Sequence, residues 1–367
     1  MKETEVNESR INVKMHTMCH KRFLSLLPSK YQSEDSNTLA IAYFSLASLE
    51  LLGTLQSTFH AEELASFIDY IYSHYIESHT YAGFRGSLTY NEDEESIELA
   101  ATCFSLQCLL ILVDDLKRVN VEKVMAFVSR CQMESGGFTN VLGSEHEKDL
   151  RYCMIAATVS KILMGDSNRI GDYIDVVSLE KFVHSLQNYD GGFSMCRGDE
   201  SHCGMVFCAT DALNLIDHRF DINGTTMDLL DFLVHRQVDF GKFNETELQE
   251  SPYADIDDNG GFNGRLNKYA DTCYVFWALG SLRLIGCDHL IDTEAAKYFL
   301  TNKTQNLKMG GFNKTTDPDE FPDPLHSFLG LAALSILGHP DVNNINCQFV
   351  IPETSYEHWK SLHVGRR

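Results

Sequence analysis

Proline, basic charge and long apolar runs are all scarce in this chain of 367 residues. Only seven prolines interrupt it, which leaves long stretches free to run as helix, because proline breaks helix interiors. No run of ~18 apolar residues occurs, so nothing reads as a membrane span. Thirty Lys and Arg stand against 52 Asp and Glu, a formal net charge of −22. That balance excludes the basic surface that nucleic acid requires and predicts an acidic one, suited to a basic partner or substrate tail. Met1 to Glu8 is polar and has no apolar leader core, and eleven cysteines form no regular disulfide framework. Reduced thiols and a cytoplasmic location are expected.

Strand signals are almost as rare, and what is present is a repeat. Cys131-Gln132-Met133-Glu134-Ser135-Gly136-Gly137-Phe138 recurs as Leu186-Gln187-Asn188-Tyr189-Asp190-Gly191-Gly192-Phe193. It returns in Gly260-Gly261-Phe262 and in Gln305 to Phe312, with Gly83-Phe84-Arg85-Gly86 as a degenerate first copy. Between these loops the apolar spacing is helical, as in Leu39, Ala42, Tyr43 and Leu46. Small-residue helices such as Ala156-Ala157-Thr158 alternate with amphipathic ones such as Leu179 to Leu186. The spacing predicts an all-α architecture of paired helices, with the small-residue helices inside. Such pairs stack as an open solenoid or close into a toroid. Residues 239–258 read as an acidic inserted loop, 1–18 as a flexible N-terminal segment, 19–350 as the repeat domain and 351–367 as a C-terminal tail.

The chemistry concentrates after the loops. Arg265, Lys268, Asp271, Cys273 and Tyr274 fall within ten residues, and His326 follows a later loop. Asp, Cys and His make three ligands of O, S and N type, a count that suits a catalytic zinc with an open fourth position. Residues i and i+2 do not share a helix face, so Asp271 and Cys273 reach one ion only where a helix begins. Gly264 and Asn267 fit a loop entering that helix, and Pro322-Asp323-Pro324-Leu325 does the same for His326. Arg265, Lys268 and Tyr274 offer donors to a phosphate-bearing substrate. His202 and Arg151 hold the corresponding place after other loops, so successive repeats deliver polar residues to one rim of a central cavity. Cys153, Cys196, Cys203 and Cys208 lack ligand spacing.

Together, Gly264-Arg265-Leu266-Asn267-Lys268, Asp271-Thr272-Cys273-Tyr274, Asp323-Pro324-Leu325-His326, Glu200-Ser201-His202 and the Gly-Gly-Phe loops resemble a protein prenyltransferase β subunit, from about His20 to about Leu337. The resemblance implies an α/α toroid whose cavity holds an isoprenoid diphosphate and the C-terminal CaaX sequence of a protein. It implies one zinc on Asp271, Cys273 and His326. It places the diphosphate on His202, Arg265, Lys268 and Tyr274, with a lysine from a separate α subunit, and puts Arg151 near the peptide. The metal favours the thiolate of the acceptor cysteine, and Tyr274 with the cations stabilises the leaving diphosphate.

Within that family the resemblance favours the type I geranylgeranyl class, acting on CaaX small GTPases of the Rho, Rac and Rap kind with a preference for terminal leucine. Ala40, one turn before Phe44, stands where farnesyl enzymes carry a tryptophan that ends the isoprenoid site. Leu325 stands where they carry tyrosine. Lys314 replaces a magnesium-linked acidic residue and predicts turnover without magnesium. Glu98 stands where a histidine often lines the peptide pocket. The alternatives are a farnesyltransferase β subunit and a non-catalytic toroid that binds protein tails. A terpene cyclase lacks support, because Asp114-Asp115 reads as a solvated helix end.

Overall fold

The computed structural model describes residues 10–27, 29–144, 149–217, 225–240 and 254–364, and helix dominates them. Two kinds of helix alternate. One kind buries a single stripe: α1 (Val13–Ser25), α3 (Ala61–Ser73), α5 (Val121–Cys131), α7 (Val176–Ser185), α9 (Thr225–Val234) and α11 (Thr293–Tyr298, prolonged by a π-helical turn). The other kind is buried almost all round: α2 (Thr38–Leu51), α4 (Leu99–Ile111), α6 (Leu150–Met164), α8 (Cys203–Leu215), α10 (Thr272–Leu284) and α12 (Pro324–Ile336). In α8 every residue but Asn214 is buried, whereas α7 buries only Leu179 and Val183. Each fully buried helix packs against the next, and α12 returns onto α2, so the ring is closed rather than an open solenoid. Ala156, Ala157, Ala209, Ala332 and Ala333 have no exposed surface, which lets these inner helices approach closely.

The repeated loops explain the closure. Phe84, Phe138, Phe193, Phe262 and Phe312 are wholly buried, each contributing about 2 kcal/mol of transfer free energy. Gly136 sits at φ +91°, and a Cβ there would lie 1.9 Å from the Ser178 carbonyl oxygen in the first turn of α7. Only glycine meets both demands. The loop glutamine fastens the same junction. Gln132 accepts from the Asp175 N–H (2.7 Å) and donates to the Asp175 carbonyl (2.9 Å), Asp175 being the N-cap of α7. Gln237 holds Asp292, the N-cap of α11, in the same way (2.8 Å each). Gln305 of the last loop accepts from the N–H of Asn12, the N-cap of α1 (2.9 Å), so the outer helices close too.

The inner helix starts are pinned at one rim. Their N-cap N–H groups donate to the phenylalanine of the preceding loop: Glu98 to Phe84, His202 to Phe193 and Asp271 to Phe262, at 2.8 to 3.0 Å. The next N–H in each reaches the following loop: Leu99 to Asn140, Cys203 to Gly264 and Thr272 to Lys314, at 2.8 to 2.9 Å. Donors that a helix start leaves orphaned thus stitch repeat to repeat.

Both chain ends differ from expectation. Helix α1 begins at Val13, inside the segment read as flexible, because Asn12 caps it (3.1 Å to the Met15 N–H) and it buries His16, Cys19, His20 and Phe23. Polar histidines disguised that stripe. The segment read as a C-terminal tail instead holds a helix, Glu353–His363 (α13). Trp359 is buried against Phe349, and its indole N–H donates to the Ile162 carbonyl at the end of α6 (2.9 Å). Two short hairpins complete the fold, Tyr75–Glu77 with Ala82–Phe84 and Ile345–Asn346 with Ile351–Pro352. Of the acidic insertion, residues 241–253 lie outside the described residues. The flanking bridge Gln237↔Phe262 places the insertion within a Gly-Gly-Phe loop.

Candidate active site

Three helix starts bring the chemistry together. Asp271 is the N-cap of α10, and its Oδ1 accepts from the Cys273 N–H (2.8 Å), which turns carboxylate and thiol toward one point despite their i, i+2 spacing. His326 lies in the first turn of α12, its Nε2 3.3 Å from Asp271 Oδ1. One ligand atom from each of Asp271, Cys273 and His326 lies within 4.8 Å of the others, and all three side chains are buried. Burial lowers the His326 pKa, but its bonds to Asp271 and Asp323 outweigh that and raise it to about 9. Burial, with Asp271 alongside, pushes the Cys273 thiol well above its ordinary value. Desolvated donors with no apolar explanation fit a cation, which would displace their protons. One carboxylate, one thiolate and one imidazole suit zinc and leave its fourth position for substrate.

Asp323, to which the sequence alone gives no role, completes this group. Its Oδ1 caps α12 through the His326 N–H (3.0 Å), and its Oδ2 holds His326 Nδ1 (2.7 Å). The bond fixes the ring and leaves Nε2 to face Asp271 and Cys273. Only its three-residue spacing from His326 could have pointed to this.

Beside the cluster, Tyr274 Oη lies 2.9 Å from His202 Nε2. His202 caps α8 by accepting the Gly204 N–H at Nδ1 (3.0 Å), so in the neutral ring Nε2 carries the proton and donates to Tyr274. Burial and the charge of Arg265 lower the His202 pKa, which favours that neutral form. The phenol proton of Tyr274 is thereby free to point elsewhere. A Cβ at Gly264 would fall 2.1 Å from the Tyr274 ring, so the motif glycine admits that ring. Arg265 reaches Glu200 only at 3.9 Å, with both side chains about half exposed. Lys268 and Lys314 are exposed, and Lys314 lies next to the cluster through its carbonyl, which accepts the Thr272 N–H.

The ring encloses a cavity of about 700 Å³. Phe44, Phe104, Trp277, Leu325 and Phe328 are among its apolar walls, and Arg151, His202, Glu200 and Arg265 are among its polar lining. Ala40 is half-buried and does not line it. Arg151 is committed to Asp149, the N-cap of α6, through Nε and Nη2 (2.6 Å at the shortest). Glu98 lies outside the lining and accepts from Asn140 (3.3 Å). Among the described residues, no helix is long and apolar enough to cross a membrane.

Comparison with known proteins agrees with this architecture. Residues 11–351 match the prenyltransferase alpha-alpha toroid domain. The chain is 30% identical over 344 residues to the geranylgeranyl transferase type-1 subunit beta of Arabidopsis thaliana, covering 88% of this chain and 84% of that one. It is 27% identical over 362 residues to the Dictyostelium discoideum subunit of the same name, covering 92% and 94%. The solved structure of Candida albicans protein geranylgeranyltransferase-I complexed with GGPP superposes with a TM-score of 0.87 at 35% identity, over 96% of this chain and 99% of that one. With its closed double ring of helices and the clustered Asp271, Cys273 and His326, the chain belongs to the prenyltransferase α/α toroid family.

Proposed function

We propose that this chain is the catalytic β subunit of a cytoplasmic heterodimer that transfers a geranylgeranyl group from geranylgeranyl diphosphate to the cysteine of C-terminal CaaX sequences, preferably CaaL, of small GTPases. The observation that carries this is the buried Asp271, Cys273 and His326 cluster at the rim of an apolar cavity. Likeness to a solved geranylgeranyltransferase-I with GGPP, and to type-1 β subunits, supports the lipid, the α-subunit partner and the acceptor class. Eleven free cysteines suit a reducing compartment.

Zinc bound by these three residues would supply a stabilised acceptor thiolate at neutral pH. The chain's own side chains do the rest. Phe44, Leu325 and the aromatic walls hold the isoprenoid and exclude water. The acceptor sulfur forms a bond to C1 of the isoprenoid as the C1–O bond breaks. The electron pair leaves with the diphosphate, and the thiol proton passes to solvent. Charge growing on the leaving group meets Arg265, Lys268, Lys314 and the Tyr274 hydroxyl, whose proton His202 directs outward. The positive ends of the inner helices at the same rim add to that field. Arg151, steadied by Asp149, is placed to contact the peptide.

Purified heterodimer, supplied with zinc and a CaaL peptide, is the test. Transfer from geranylgeranyl diphosphate without magnesium is expected. A strict preference for farnesyl diphosphate, or no transfer at all, overturns the proposal.

A further inference from the structure

Hydrogen-bonding capacity that the fold does not use lies deep in the cavity. Gln107 on α4 and Asp211 on α8 line it about two and a half turns beyond their helix N-caps, roughly 13 Å below the rim. Both carboxyl oxygens of Asp211 are buried without a partner, and so is Oε1 of Gln107. Gln107 cannot turn to relieve this, because its Nε2 donates to the Phe349 carbonyl (2.8 Å). The next residue, Val350, also lines the cavity, accepts the Tyr43 hydroxyl, and sits at φ +51°, a strained value for a β-branched side chain. Burial drives the Asp211 carboxyl well above its ordinary range, which favours the protonated form that can both donate and accept.

Orphaned buried polar groups are rare because they are costly. Here the free protein already bears that cost, so a hydrocarbon end arriving at the floor loses nothing further. An end that carries a hydroxyl gains, since it can donate to Gln107 Oε1 and accept from the Asp211 acid. We propose that Asp211 and Gln107 form a polar subsite at the deep end of the cavity that takes the hydroxyl-bearing tip of an oxidised isoprenoid diphosphate. This rests on the reading of the cavity as the site of the lipid donor.

The test offers the heterodimer an equimolar mixture of geranylgeranyl diphosphate and its analogue hydroxylated on the terminal isoprene unit, with a CaaL peptide. The ratio of the two products, read by mass spectrometry, is a ratio of kcat/KM values and is internal to each variant, so a partly unfolded preparation does not distort it. The hydroxylated share is expected to fall about fivefold or more in Asp211→Leu, the loss of one buried hydrogen bond. Asp211→Asn, which keeps a donor and an acceptor, should retain most of it. An equal ratio in the wild type and Asp211→Leu, or exclusion of the hydroxylated donor by the wild type, overturns the subsite while leaving the activity intact. Transfer from neither donor removes the proposed activity and the subsite with it.

Discussion

At the scale of single residues, the separate uses of one carboxylate can be dissected. Asp323 Oδ1 caps α12 while Oδ2 holds the His326 ring. Asp323→Asn keeps a capping oxygen but removes the charge behind the imidazole. Zinc affinity is expected to fall about 10- to 100-fold, measured by competition with a chelating dye, with the unfolding free energy changed by less than about 1 kcal/mol. Cys273→Ala should abolish both bound zinc, read by metal analysis, and peptide prenylation. The metal cluster was legible in the sequence because zinc demands particular atom types, and a Cys two residues after an Asp meets that demand only at a helix start. Asp211 was not legible. Nothing in Cys208-Ala209-Thr210-Asp211 separates a buried acid from one facing solvent until the neighbouring helices are in place.

At the scale of elements, the repeated loop is where sequence and structure agree most closely. Its glycines, phenylalanine and glutamine each answer one packing demand, so their recurrence announces paired helices before any coordinates exist. Gly136→Ala combines a left-handed backbone cost of about 1–2 kcal/mol with a clash against the Ser178 carbonyl. A loss above about 3 kcal/mol in denaturant unfolding is expected; a change below about 1 kcal/mol would mean that α7 shifts freely to make room. Helix α13 escaped the reading because one amphipathic segment after the last repeat has no copy to compare with. Tyr356 and Trp359, three residues apart, were its available signal.

At the scale of the whole molecule, closure depends on α1 filling the outer seat beside the last loop. His16 there accepts the Gly311 N–H at Nδ1 (3.2 Å) and so presents its Nε2 proton to Gln305 Oε1 (3.3 Å). Burial, only partly offset by Gln305, lowers the His16 pKa to about 4. An unfolded histidine titrates near 6.5, so between those values the unfolded chain binds more protons than the folded one. Stability from this residue is therefore complete above about pH 6.5 and declines as pH falls toward 4, by up to about 3 kcal/mol. Unfolding followed across that range should show the decline, and His16→Asn should make it shallower, leaving the share of His20, whose pKa burial and the neighbouring His16 lower to about 3. The net charge of −22 belongs to this scale as well. The kcat/KM for peptides with basic tails should drop severalfold as salt is raised, and a salt-independent value would deny the acidic surface any role in encounter.

The seating of α1 also has a temporal side. This helix leaves the ribosome well before the loop that receives it, from Gln305 to Phe312. At about 5–20 residues per second, His16 waits roughly 15–60 s for Gly311 and Phe312, whereas Cys19 and Phe23 have Ile41 of α2 to pack against. Closure of the ring thus waits on the synthesis of the Gln305 loop, long after α1 and α2 can meet.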